Sequence, residues 1–138
     1  MTRRPPPKAA PPDEAPLLRT TAMPADANPS GDIFGGWLMG LMDLAGGNAA
    51  ARRSRGRVAT IAVEGMVFHS PVLVGDEVSI YARVVAVGRS SMRIEVEAWR
   101  RRMSEEAMNQ VTEAVFTFVA IDAERRPREV PSGEVGGA

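Results

Sequence analysis

No cysteine occurs in the chain, and there is a single histidine, His69. The first absence excludes disulfides, thiolate metal sites and cysteine nucleophiles. The second leaves His69 as the one residue on which a Ser-His-Asp triad could be built, and it rules out histidine-rich metal sites. Neither sign of charge is in excess, with 17 basic against 17 acidic residues. A general nucleic-acid binder would carry a strong basic surplus, so no nucleic-acid partner is expected. No apolar run approaches ~20 residues, so no membrane span is expected. Arg3, Arg4 and Lys8 open the chain, but no apolar core follows them as it would in a secretory signal. The expected location is therefore cytoplasmic, and no metal or cofactor is expected.

Apolar residues make up 44% of the 138. That is enough for the core of one domain of ordinary size. All but one of the basic residues are arginine. The guanidinium fork suits phosphate, although solvated surface arginines would give the same composition. Residues 1–15 are dense in proline and poor in large apolar side chains. Such a segment cannot offset its own ordering entropy and is expected to be a disordered tail. The folded domain is expected over 16–131, with a flexible tail at 132–138.

The most informative stretch is Asn28 to Ala51, N-P-S-G-D-I-F-G-G-W-L-M-G-L-M-D-L-A-G-G-N-A-A-A. It opens as turn chemistry and becomes a helix from about Gly35 to Arg53. Leu38, Leu41, Met42 and Ala45 recur at spacings of three and four, which marks one buried face. Asp32 stands where a cap or a dipole-favoured acid belongs, and Arg52, Arg53 and Arg55 lie at the far end. Gly56 is a plausible stop. Gly40, Gly46 and Gly47 lie inside the helix, each costing roughly 1 kcal/mol relative to alanine. On a 3.6-residue period they share a face with Gly36, Met39 and Asp43. Asp43 is thus a lone acid on a stripe nearly stripped of side chains, beside the backbone amides expected near Gly35 and Gly36. Donors and an acid of this kind can polarise a carbonyl and activate water. The competing reading is tight helix-to-sheet packing with a solvated surface acid.

After Gly56 the pattern is strand throughout. Arg57 to Phe68 is rich in β-branched residues, and Gly65 suggests a bulge. Glu77 to Val87 and Ser91 to Arg101 alternate around a Gly88-Arg89-Ser90 turn, with Arg93, Glu95, Glu97 and Trp99 on a face expected to be wet. Gln110 to Asp122 is the last long strand, and Pro16 to Met23 holds a short early one. No second helix separates the later strands, so an antiparallel α+β sheet of five to six strands is favoured over a parallel one. Its unpaired edges invite a second copy.

The runs A-M-P-A-D-A-N-P-S-G-D-I-F-G-G-W-L-M-G-L-M-D-L-A-G, V-E-G-M-V-F-H-S-P-V-L-V-G-D and E-A-V-F-T-F-V-A-I-D occur in that order. Together they resemble the hotdog-fold acyl-CoA thioesterases of the YciA type, over residues 17 to 131. The resemblance implies a long helix wrapped by a curved antiparallel sheet. It implies dimers that share their active sites and assemble as a trimer of dimers, a hexamer. It implies hydrolysis of acyl-CoA to a free acid and coenzyme A. Catalysis would rest on Asp43 as base or nucleophile, on Asn28 of the opposite protomer, and on an oxyanion site at Gly35 and Gly36. Gly88, Arg89, Ser90 and Ser91 could hold the phosphates of coenzyme A through the arginine and backbone amides, and His69 could edge the pocket. A hydratase on this fold would need a histidine beside a carboxylate, and His69 lies in the wrong context. The alternative function is a non-catalytic acyl-CoA-binding hotdog module.

Overall fold

A computed structural model describes residues 6–132. The order of elements is β1 (Leu18–Thr21), a short 3-10 turn at Pro24–Asp26, α1 (Gly35–Ser54), β2 (Val58–Phe68), β3 (Glu77–Val87), β4 (Ser91–Arg101) and β5 (Met108–Ala120). The strands form one sheet in the order β1-β3-β4-β5-β2, and every neighbouring pair is antiparallel. Five strands and one long helix realise the expected α+β architecture.

Alternation along the central strands makes the core. Val78 and Ile80 of β3, Met92, Ile94, Val96 and Ala98 of β4, and Phe116 and Phe118 of β5 are all fully or almost fully buried. Leu38, Met42, Ala45 and Ala50 of α1 are buried with them. Each large side chain removed from water in this way stabilises the fold by roughly 1.5–3 kcal/mol. The far end of α1 is closed by Arg55 in the left-handed conformation (φ 59°), not by a glycine. Arg128 then supplies a guanidinium, donating to the Ser54 carbonyl oxygen at 2.8 Å, where a cation also suits the helix dipole.

The outer face of the sheet departs from expectation. Glu97 is 4% exposed and Trp99 is wholly buried, although both belong to the face expected to be wet. For Glu97 the N-terminal segment supplies a partner. Residues 6–15 carry no helix or strand, yet the Lys8 ammonium donates to Glu97 Oε2 at 2.7 Å and its amide to Gln110 Oε1 at 2.8 Å. Pro12 and Glu14 line a small cleft together with Tyr81 and Glu95. Glu97 and Glu113 are direct cross-strand partners, a like-charge placement that is destabilising by itself. Lys8 answers it, with Glu113 and Glu95 3.8 and 3.9 Å away.

The two edges of the sheet are unequal. β1 has four residues, whereas β2 has 11, none of them buried. Ile61, Val63 and Phe68 on β2 are exposed, as are Met39 and Leu44 on α1.

Candidate active site

α1 begins without a side-chain cap. Its N-cap is Phe34, whose side chain makes no capping hydrogen bond, and the first turn holds no acid. Asp32 is therefore not the cap expected of it. Its amide donates instead to Asn28 Oδ1 at 3.1 Å, closing the preceding loop. Trp37 and Leu38 return their amides to the Phe34 carbonyl oxygen. The amides of Gly35 and Gly36 have no acceptor among the described residues. Uncapped donors at a helix start carry a partial charge of roughly +0.5, which favours an anion.

Asp43 stands on the same helix, half-buried. Oδ1 accepts from the Thr60 hydroxyl of β2 at 2.6 Å. Asp43 lies seven positions after Gly36, and at 1.5 Å per residue this places them about 10 Å apart along the axis. One carbonyl group cannot touch both within one chain. The helical glycines divide into two kinds. A Cβ on Gly36 or Gly40 would meet nothing within 4 Å. A Cβ on Gly46 would lie 3.1 Å from the Phe118 ring and 3.3 Å from Val96, and Gly47 also backs onto Phe118. The expected open stripe is thus half right: Gly36 and Gly40 leave space before Asp43, whereas Gly46 and Gly47 let the helix approach the sheet.

Asn28 shapes its own loop. Oδ1 accepts from the Ser30 and Asp32 amides at 2.9 and 3.1 Å, and its backbone pairs with Asp32 and Gly31. The carboxamide Nδ2 has no acceptor among the described residues. Beside Gly35 is a cavity of about 190 Å³ lined by Phe34, Leu38, Phe68, Pro71, Val72 and Val111 among others. Its walls are mainly apolar, with Ser70 the polar side chain among them. His69 follows Phe68 in sequence but does not line this cavity. Its amide donates to the Val111 carbonyl oxygen, and its Nε2 is buried without a partner.

The structure places Gly88, Arg89, Ser90 and Ser91 at the β3–β4 turn, where the Gly88 amide donates to the Ser91 carbonyl oxygen at 2.7 Å. Ser90 and Arg89 accept from the Ala120 and Val130 amides. The Arg89 side chain is 89% exposed, with Glu129 at 3.8 Å. This turn continues toward the start of β2, since Ser91 and Ala59 both pair with Val119 of β5. The Gly35 end of α1 lies by Phe68 at the end of β2. The two predicted halves of the site therefore sit at opposite ends of one protomer. Arg101 and Arg102 are engaged by Glu77 and Asp76.

A model of the thioesterase superfamily matches residues 30–107. An uncharacterized acyl-CoA thioester hydrolase of Zymomonas mobilis is 54% identical over 116 residues, 84% of this chain and 78% of the relative. The chain belongs to the thioesterase superfamily. Another member, the acyl-CoA thioester hydrolase YciA of Escherichia coli, is 50% identical over 118 residues, 83% of this chain and 89% of that one. The solved hexameric thioesterase y2039 from Yersinia pestis superposes with a TM-score of 0.84 at 50% identity, covering 88% of this chain and 99% of that chain. The superfamily match spans the Gly35 helix start and Asp43, and both lie on the open side of α1. No helix among the described residues is long and apolar enough to cross a membrane.

Sequence reasoning missed three parts of this thioesterase. Thr60 lies 17 residues from Asp43, and only the bend of β2 onto α1 joins them. The apolar cavity draws on the helix start, the end of β2 and the following loop, so no single stretch signals it. Lys8 gave a faint signal as the one lysine among the basic residues, but nothing in its own segment pointed to a contact 89 positions away.

Proposed function

We propose that the chain hydrolyses acyl-CoA thioesters at active sites built jointly by two copies. One observation carries the proposal: the free amide pair at the uncapped start of α1 and the lone Asp43 lie too far apart to serve the same thioester in one chain. β2 offers the means of bringing in a second copy, because it is long, exposed and unpaired on one side. Antiparallel pairing of β2 with its counterpart sets the start of one strand beside the end of the other. Asp43, tied to Thr60 near the start of β2, then faces the other copy's helix start, which lies beside the end of its β2. The named activity of the Escherichia coli and Zymomonas relatives supports the substrate class, and the hexamer of the Yersinia relative supports assembly beyond the dimer.

In this reading the thioester oxygen accepts from the Gly36 amide and its Gly35 neighbour. Fixed donors aimed at developing oxyanion charge lower such a barrier by about 3–4 kcal/mol. Asp43 takes a proton from water, whose oxygen forms the new bond to the acyl carbon. Alternatively, Asp43 attacks first and the anhydride is then hydrolysed. The C–S bond breaks, and the departing thiolate needs no strong general acid. The free Nδ2 of Asn28 donates to water or substrate. The apolar cavity beside Gly35 receives the acyl chain. The Gly88-Arg89-Ser90-Ser91 turn meets the coenzyme A phosphates. His69, just past the end of β2, shapes the backbone there instead of touching substrate.

The test is turnover of a panel of acyl-CoA esters, followed by thiol release, for the wild type and Asp43→Ala. We expect the wild type to turn over and the variant to keep its fold but lose most of kcat. Coenzyme A binding without turnover on any ester would favour the non-catalytic binding module instead.

A further inference from the structure

We infer that Arg128 is a positioning residue for the coenzyme A half of the site. Its guanidinium clasps the segment 127–131 to the end of α1 and the start of β2, and this clasp fixes the Gly88-Arg89-Ser90-Ser91 turn where the phosphates arrive. The inference rests on the reading of that turn above. Nε donates to the Ile121 carbonyl oxygen at 2.9 Å and Nη1 to the Ser54 carbonyl oxygen at 2.8 Å. Nη2 donates to the Ser54 hydroxyl at 3.2 Å and to the Arg57 carbonyl oxygen at 3.1 Å. Three elements meet here, because α1 ends at Ser54, β2 begins at Val58 and β5 ends at Ala120. All these acceptors are uncharged, so the fork serves to join backbone, not to form an ion pair. A planar fork can hold several acceptors in fixed directions, whereas the point charge of an ammonium cannot.

Gly56 makes room for the clasp. A Cβ there would lie 2.6 Å from Arg128 Nη2 and 3.1 Å from its Cζ. From the clasp, hydrogen bonds run to the turn. The Arg128 amide donates to the Ala120 carbonyl oxygen at 2.9 Å, and the Ala120 amide donates to that of Ser90 at 2.8 Å. Two residues on, the Val130 amide donates to the Arg89 carbonyl oxygen at 2.8 Å. Arg53 adds a second tie from α1, donating to the Pro131 carbonyl oxygen at 2.6 Å. Both carbonyls at the tip of the turn are thus held by backbone that Arg128 anchors. The Arg89 side chain is itself in solvent, so the backbone decides where it starts from. Asp43 lies 11 positions before Ser54, about 16 Å away along the helix axis. The clasp therefore acts on the grip for the coenzyme and not on the acid.

The test compares Gly56→Ala, Arg128→Met and Arg128→Lys as full-length proteins, with assembly checked by light scattering. Two substrates with one acyl group are used: the acyl-CoA, and the acyl thioester of pantetheine, which lacks the phosphates. Gly56→Ala pushes aside only the far end of a flexible side chain, so it carries the test even where Arg128→Met fails to fold. We expect KM for acyl-CoA to rise about tenfold in Gly56→Ala and Arg128→Met, the worth of one hydrogen bond to a charged group, with kcat changed by less than about twofold. Lysine keeps the charge but not the fork, and should behave as methionine does. On acyl-pantetheine every variant should stay within about twofold of the wild type in kcat/KM. An equal loss on both substrates would overturn the inference, since general loosening would then be the cause. So would a wild-type KM for acyl-CoA in Gly56→Ala and Arg128→Met, or its recovery in Arg128→Lys. If the wild type takes both substrates with equal KM, or Arg89→Ala keeps the full preference for acyl-CoA, the phosphate reading of the turn falls and this one with it. A preference lost in Arg89→Ala but intact in Gly56→Ala and Arg128→Met defeats this one alone.

Discussion

Replacing Lys8 by methionine keeps the length of the side chain and removes the ammonium that faces Glu97. The Glu97 side chain is 5% exposed, whereas that of Lys8 is 43% exposed. Breaking a fully buried pair costs about 3–5 kcal/mol because a charge is left stranded. An exposed pair is worth about 0–1 kcal/mol. Lys8 is half in water, and Trp99 Nε1 and Gln110 Nε2 continue to donate to Glu97 at 3.0 and 3.3 Å. We therefore expect a loss of about 1–2 kcal/mol, between the two limits. For a domain of this size the loss corresponds to a fall in Tm of about 3–7 °C. Thermal unfolding at fixed protein concentration measures it. The pH dependence gives an independent check. Burial lowers the pKa of Lys8, but the hydrogen bond to Glu97 and the charges of Glu97, Glu95 and Glu113 outweigh burial and leave it above the ordinary 10.5. A cation whose folded pKa is raised contributes fully below its unfolded value and loses that contribution as pH rises through the folded one. The difference between wild type and Lys8→Met should thus hold steady through neutral pH and close only above about 10.5. The contribution should also shrink in a Glu97→Gln background. An unchanged Tm in Lys8→Met, or an equal loss with Glu97→Gln, would refute the reasoning.

Gly46→Ala pushes a methyl group to 3.1 Å from the Phe118 ring, so overpacking of about 1–3 kcal/mol should exceed the ~1 kcal/mol helix gain and lower Tm. Gly40→Ala meets nothing within 4 Å and should preserve or raise thermal stability while lowering kcat/KM, if substrate passes there. Ile61→Glu places a charge on the exposed edge of β2, and size-exclusion chromatography should show smaller species with turnover lost in parallel. Mixing Asp43→Ala with Asn28→Ala protomers under refolding conditions should restore part of the activity that each lacks alone, because one site of a mixed dimer then has both groups; no recovery would argue for sites within single chains.

Much of the fold was legible because period and burial agree. The inward positions of β3 and β4 follow the period of two, although Ser79, Tyr81, Glu97 and Trp99 on the other face are buried too, and the observed bounds of both strands are those read from the sequence. α1 runs one residue beyond its expected end. The candidate site was legible where chemistry is local: the uncapped glycine amides and the isolated acid both follow from neighbours in sequence. It was not legible where distant segments meet. Nothing around Glu97 signals that Lys8 of a proline-rich segment reaches it. The roles of Gly46 and Gly47 depend on a phenylalanine more than 70 positions away. Asn28 Oδ1 is already used by Ser30 and Asp32, a geometry that its turn-like surroundings hint at but do not specify.

The inequality of the sheet's edges bears on how large an assembly can grow. A head-to-tail contact, β2 of one copy on β1 of the next, would have four residues of β1 on which to build a ladder, and repeating it would open a filament. The proposed two-fold contact of β2 on β2 would use the 11-residue edge of both copies at once and leave no long edge for a third. The shortness of β1 thus works as a stop. It favours closed association over fibre growth in a protein whose long edge is apolar enough to be hazardous.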